Sequence, residues 1–347
     1  EKEFLRDHFK NSAEMNHMIF LKGYQWPFDV RKAEKGKSSI IDLLVYKESV
    51  ERKRRVFLDF RQNCLDFDFA SLPEEAYEYL KKSQALFGTP LERLELMNPG
   101  AISLYADHGI DLTSETLEIA VCAQHNNGGI AGNIFYESLN KKHFFAIGEV
   151  NGSHGIYRPG GSALNAGQAG AFQAAEYIAA KYFQKTFTAT DVKDLQEKAL
   201  AKLSKNGKRD WRKDRSELQQ RMTRCAAHLR NYEEICAEYE KACELFAAID
   251  SEGYPVEDLK EGLCTRQLAF SSMIYLSAIK FQIESGAGSR GSALVLKNGQ
   301  VVAENKEFRK KVLQSIKLEH QWVDVRPIPQ SNAWFENVWR EYREKKI

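Results

Sequence analysis

The strongest constraint on this chain lies in residues 122–175. There, Cys122-Ala-Gln-His125-Asn-Asn-Gly-Gly-Ile-Ala-Gly-Asn133 is followed by Phe145-Ala-Ile-Gly-Glu149 and then by His154-Gly-Ile-Tyr-Arg158-Pro-Gly-Gly-Ser-Ala-Leu164. Glycine pairs, histidines, an arginine and a glutamate crowd into one stretch. Glycine at this density lets backbone N–H groups approach a ligand closely and adopt positive φ, so the stretch reads as loops wrapped around a bound group.

Within it, the apolar run from His143 to Gly148 predicts a buried parallel strand, with Glu149 at the carboxyl end that faces a ligand. A helix is expected over 162–183, with Ala163, Gly167, Gly170 and Ala174 on one face. Such a face buries little apolar area and instead permits close approach of a backbone or a planar cofactor.

The rest of the composition narrows the classes. With 347 residues and 43% hydrophobic content, the chain can bury a sizeable core in two or three domains. A formal charge of +2 gives no polyelectrolyte signature, so net charge implies no nucleic-acid partner. The six cysteines form no Cys-x-x-Cys pair and show no metal-ligand spacing, and they read as reduced thiols in a cytoplasmic protein. No apolar run approaches the roughly 20 residues needed to span a bilayer, and the start lacks a signal-peptide core. The absence of an initiator Met leads us to expect a piece of something longer.

Taken in order, residues 1–60 read as mixed α and β. A charged helix runs to about Leu21, Trp26-Pro27 makes a break, a helix starts at Ser38-Ser39, and Arg55–Phe60 alternates like a strand. Helices follow over Pro73–Phe87, with acidic residues in the first turn, and over Ile102–Asp107 before Gly109. Residues 190–285 are expected to be helical almost throughout. Asp191 caps one helix, a long helix covers Arg215–Ala248, and a third covers Arg266–Glu284 with a face of Leu268, Ser271, Ser272, Tyr275 and Leu276. Residues 292–303 predict a hairpin around Asn298-Gly299. The tail holds Trp322, Trp334 and Trp339, an extended Val325–Pro329 and a final charged helix. The expected divisions are 1–115, 116–188, 189–291 and 292–347.

Several features admit two readings. Gly286-Ala-Gly288-Ser-Arg-Gly291 has the spacing of a dinucleotide loop, but a helix precedes it and a short strand follows, so it reads as a helix cap and turn. His125 is either a satisfied loop histidine or a ligand group, and Glu149 either a loop carboxylate or a site residue. Arg158, in a turn before Pro159-Gly160-Gly161, suits an anion at least as well as a surface ion pair. Cys225, Cys236 and Cys243 are expected on one helical face, in the core.

Taken together, the order and spacing of Ala123–Asn133, Ala146–Glu149 and His154–Leu164 resemble the C-terminal part of the flavoprotein family of succinate dehydrogenase, fumarate reductase and L-aspartate oxidase. Leu218–Met222 with Ala226 and Arg230 is similar to the first helix of that family's helical domain, and Glu284–Gly291 to its Glu-Ser-Arg-Gly turn. Residues 20–115 look like a remnant of its mobile capping domain.

The resemblance implies a fold of α/β plus α: a partial, Rossmann-like FAD-binding domain, a capping-domain remnant and a C-terminal helical bundle. It implies that His125 and Arg158 hold a carboxylate of a dicarboxylate-like substrate, that Glu149 binds FAD, and that Ser162, Ala163 and Leu164 meet the flavin, Ala163 and Leu164 through backbone N–H groups. A helix N-terminus there would place partial positive charge near the flavin N1–C2=O edge, where charge accumulates on reduction. Three features depart from the pattern. Asn126 and Asn127 replace the usual Tyr and Met, the Glu149-to-Arg158 gap is shorter, and the Arg-Asp proton-donor motif has Arg31 as its nearest candidate. The amino-terminal nucleotide-binding unit has no counterpart in these residues, so the missing half of the site, or an electron-transfer partner, is expected elsewhere. The expected activity is hydride transfer between flavin N5 and a carbon–carbon bond beside a carboxylate. The alternative is a non-catalytic scaffold that binds partners, with Lys205–Arg215 as its basic patch.

Overall fold

The computed structural model describes residues 2–25, 27–33, 37–122, 128–158, 161–182, 192–198, 207–325 and 334–344. It divides into two units: Glu1–Cys122 with Arg290–Ala293, and Ala123–Ser289 with Leu294–Ile347. His125, Asp191, Lys205 and most of Val325–Pro329 lie outside the described residues.

In the first unit, Asn11 accepts a hydrogen bond from the Glu14 N–H and so starts α1 (Ser12–Tyr24), which ends ahead of Pro27. Helix α2 (Ile40–Tyr46) begins after Ser39, whose hydroxyl accepts from the Asp29 N–H rather than capping the helix. Met18, Leu21, Ile41, Val45 and Val56 form the buried core, and Phe4, Phe20 and Ile119 pack against it. Strand β1 (Val56–Leu58) is the expected one, and it pairs antiparallel with β2 (Leu117–Ile119), with Val56 opposite Ile119. Between these strands lie α3 (Glu74–Lys82), α4 (Pro90–Met97) and α5 (Pro99–Asp107). Thr89 and Glu92 form a reciprocal capping box on α4, and α5 stops ahead of Gly109, which has φ +79°. The returning segment is tied in where the Val30 N–H donates to the Gly291 carbonyl at 2.8 Å.

The second unit begins with loops and α6 (Ser162–Lys181), continues through a helical stretch α7 (192–198), and is built mainly on α8 (Trp211–Cys225), α9 (Tyr232–Glu252) and α10 (Leu259–Glu284). These last three bury Cys225, Ile235, Ala242, Leu276, Ile279 and Ile283 together.

Several expectations are corrected here. The long helix over Arg215–Ala248 is two helices, because Leu229–Asn231 leaves helical geometry as strand β3 and Asn231 caps α9 by accepting from the Glu234 N–H. The cysteines accordingly divide, with Cys225 on α8 and Cys236 and Cys243 on α9. Helix α10 starts seven residues before Arg266. It buries Ala269, Ser272, Met273 and Leu276, while Leu268 and Ser271 face outward. Strand β3 pairs in parallel with β4 (Leu294–Lys297), which turns through Asn298-Gly299 into β5 (Gln300–Val301), as the turn signal predicts. The run 143–148 is not a parallel strand. It folds back on 136–138, with the Ser138 N–H donating to the Phe144 carbonyl and the Ala146 N–H to the Tyr136 carbonyl, so each group's partner is local and antiparallel. The tail contains a hairpin that the sequence reading passed over, β6 (Lys311–Ile316) with β7 (Glu319–Asp324), joined at Lys317-Leu318 with both φ positive. Helix α11 (Trp334–Arg343) follows. No helix among the described residues is long and apolar enough to cross a membrane.

Candidate functional site

Glycine brings two of the sequence segments together. The Ile130 N–H donates to the Val150 carbonyl at 2.7 Å, Gly129 bridges Asn151, and the Asn151 side-chain amide reaches the Ile130 carbonyl at 3.4 Å. A Cβ on Gly129 would lie 2.1 Å from the Val150 carbonyl oxygen, so only glycine permits this approach. The segment at Gly129-Ile130 is thereby pinned to the turn carrying Glu149.

That turn abuts the small-residue face of α6. Gly148, at φ +78°, sits where an added Cβ would touch the Gly167 Cα at 3.5 Å, and a Cβ on Gly170 would meet the Tyr136 ring at 2.6 Å. The Ala/Gly face therefore receives a backbone turn and an aromatic ring. Buried Glu137 fastens the far end of the helix. Burial raises its carboxyl pKa, but bonds from the Tyr182 hydroxyl and the His143 N–H (2.9 Å) outweigh that and hold it lowered.

At the near end stand the charged groups. Arg158 Nη2 donates to Glu149 Oε1 at 3.1 Å, and His154 Nδ1 lies 3.8 Å from the same oxygen. The His154 side chain is 13% exposed and that of Arg158 24%, whereas that of Glu149 is 48% exposed. Arg158 Nε and His154 Nε2 are buried and have no hydrogen-bond partner among the described residues. Arg158 Nε is thus a buried donor without a partner among the described residues, which an anionic or hydroxyl-rich ligand would complete. Beside them α6 starts at Gly161, in the left-handed region at φ +75° and without a side-chain cap, and Leu164 in its first turn is 79% exposed. The first-turn N–H groups of a 20-residue helix carry partial positive charge.

The structure thus brings Glu149, Arg158, Ser162, Ala163 and Leu164 into one short region, and it adds His154, to which the sequence reading gave no role. Its placement four residues before Arg158 was the available signal. Arg31 belongs to the first unit. Its guanidinium grips Asp29 through Nε (3.1 Å) and Nη2 (2.6 Å). Burial raises the Asp29 carboxyl pKa, but these bonds hold it below the ordinary carboxylate range. In the basic stretch, Arg209 pairs with Asp214 and Glu252, and Arg215 with Glu261, so much of its charge is neutralised internally.

No protein-family model matches the chain. A fumarate reductase (CoM/CoB) chain from Methanothermobacter marburgensis is 36% identical over 98 residues, 28% of this chain and 15% of that protein. Among solved structures, the FrdA chain of E. coli quinol fumarate reductase is matched over 74% of this chain and 49% of its own, with TM-score 0.55 and 20% identity. A quinol-fumarate reductase with menaquinol molecules is matched over 93% and 58% (TM-score 0.59, 17% identity). Mycobacterium smegmatis Sdh1 is matched over 84% and 54% (TM-score 0.52, 16% identity). The fold is that of flavoprotein reductases. In fold the chain is similar to the fumarate reductase and succinate dehydrogenase chains named above, and it spans about half the length of the solved relatives it matches.

Proposed function

We propose that this chain supplies one side of the active site of a cytoplasmic FAD-dependent oxidoreductase acting on a small dicarboxylate. The observation that carries the reading is the Glu149–Arg158–His154 group beside the start of α6, which has no side-chain cap, where the buried Arg158 Nε has no partner among the described residues. These residues fit the flavin. The exposed Glu149 carboxylate can accept from its hydroxyls, and the backbone of Ser162, Ala163 and Leu164 offers N–H groups to its pyrimidine edge. When bound, FAD supplies the hydride acceptor or donor. Arg158, with His125, grips a substrate carboxylate, the planar guanidinium giving two directed bonds and the imidazole a third. Arg31 is the candidate proton donor, and Asp29 fixes its guanidinium. The remaining nucleotide contacts, and the electron-transfer partner, come from outside these 347 residues.

The test is steady-state kinetics of the flavin-loaded protein with thermal melts alongside. Arg158→Lys keeps the charge but loses the fork, so KM for a dicarboxylate rises at least about tenfold, or roughly 1.4 kcal/mol, with flavin content unchanged. His125→Ala weakens the same substrate, and the double variant loses less than the sum. A lower melting temperature in Arg158→Lys with unaltered kinetics would assign that residue to the turn alone.

A further inference from the structure

We propose that Tyr177, Tyr182 and Glu137, at the far end of α6, form a proton-coupled redox site that takes up one-electron oxidising equivalents and connects through Phe135 and Tyr342 to Trp339 at the surface. The backbone around Glu137 is strained. Tyr136 and His143 hold φ of +67° and +62°, a region that residues other than glycine rarely adopt and that persists only where the surroundings enforce it. Between them Glu137 is 7% exposed, and its carboxylate accepts from the Tyr182 hydroxyl, the Tyr177 hydroxyl and the His143 N–H. Two phenols thus share one buried acceptor. Tyr342 repeats the arrangement nearer the surface, its hydroxyl donating to Glu176.

A phenol hydrogen-bonded to a carboxylate has an exit for its proton. The bond to Glu137 pushes the Tyr182 pKa up to about 12, so the hydroxyl stays neutral until an electron leaves. Loss of that electron makes the ring a radical cation and its hydroxyl a strong acid. The proton then crosses one hydrogen bond to Glu137, which leaves a neutral tyrosyl radical and a carboxylic acid, and the oxidant is reduced by one electron. The rings give the electron a route. Tyr182 and Tyr177 have centroids 6.1 Å apart, Tyr177 stacks on Phe135 at 4.2 Å, Phe135 lies 6.3 Å from Tyr342, and Tyr342 lies 5.7 Å from Trp339, which is 46% exposed. Tunnelling falls steeply with an empty gap, and Phe135, not itself oxidised, fills the gap between two tyrosines. A reductant at the surface, such as ascorbate, gives one electron back through Trp339 and becomes its own radical, while the proton returns from Glu137 to the phenol. None of these steps requires flavin or a dicarboxylate.

The test uses the 347-residue chain as it stands, with photogenerated tris(bipyridine)ruthenium(III) as the one-electron oxidant and electron paramagnetic resonance as the readout. A long-lived tyrosyl signal should form in the unaltered chain. It should be lost in the double variant Tyr177→Phe/Tyr182→Phe, which keeps both rings and removes only their hydroxyls, and kept in Tyr24→Phe, a change at an exposed tyrosine of the first unit. Glu137→Gln keeps the size of the side chain but takes up no proton, so formation of the signal should slow at least about tenfold. Added ascorbate should quench the signal several-fold more slowly in Trp339→Leu than in the unaltered chain. Thermal melts show which variants are folded, and the double Phe variant decides the matter if Glu137→Gln is not. An unaltered chain without a long-lived tyrosyl signal, or a signal that survives the double Phe variant, overturns the redox site. Equal quenching with and without Trp339 overturns its connection to the surface.

Discussion

Gly288 shows how one residue can look like chemistry and serve structure. It lies at φ +70°, and a Cβ there would fall 1.9 Å from the Ala303 carbonyl oxygen, which cannot move aside without breaking the local backbone. The spacing Gly286–Gly291 copies a nucleotide loop, yet the Gly286 N–H donates to the Ile283 carbonyl and the Ala287 N–H to that of Gln282, which closes the end of α10. Gly288→Ala is therefore expected to cost about 1–3 kcal/mol of stability and to leave flavin affinity unchanged in the folded fraction. Denaturant unfolding and flavin titration in parallel check it, and lost flavin binding at unchanged stability would contradict the structural role. Gly129 is the opposite case, where a glycine of the sequence marks a real close approach, with a Cβ falling 2.1 Å from the Val150 carbonyl oxygen. The pairing of Arg158 with Glu149 was not legible, because nine residues of irregular loop carry no period from which to infer contact.

Elements with strong local signals were legible, and those decided by distant partners were not. Asn298-Gly299 encodes its turn within a few residues and occurs in the structure, whereas the equally local Thr89/Glu92 box that starts α4 was passed over. The break between α8 and α9 depends on β3 finding β4, more than sixty residues away, and the helical pattern runs straight through it. The β6–β7 hairpin was missed because Lys317-Leu318 is not typical turn chemistry, although both residues adopt positive φ. This hairpin is latched to α10 by His320, whose Nε2 meets Ser277 Oγ at 2.7 Å and whose Nδ1 meets Ser315 Oγ at 2.7 Å. Burial lowers the His320 pKa, so the folded state binds fewer protons than the unfolded state. Stability from this source is complete above the unfolded value, near 6.5, and is lost as pH falls from there towards the lower folded value. Hydrogen exchange, corrected for intrinsic rates, should show β6 and β7 amides losing protection between about pH 7.5 and 5.5, and losing less in His320→Leu. Equal loss in both proteins would remove His320 as the cause.

At the scale of the molecule, the resemblance seen in three short motifs agrees with the fold. The shared fold extends over 74–93% of this chain but only 49–58% of the solved relatives compared above. The buried parallel strand expected over residues 143–148 was an architectural error. An apolar run of strand length specifies burial but not its partner, and here the partner is the neighbouring segment 136–138. The central claim is that these residues form one side of a flavin site whose pyrophosphate contacts come from elsewhere. The most direct measurement is flavin absorbance after gel filtration, for the 347-residue chain with added FAD and for the same residues expressed within their complete gene product. The account predicts little or no retained flavin on the chain alone and stoichiometric flavin on the complete product, reduced in both settings by Glu149→Ala. Tight stoichiometric FAD on the chain alone, or a colourless complete product, would contradict it.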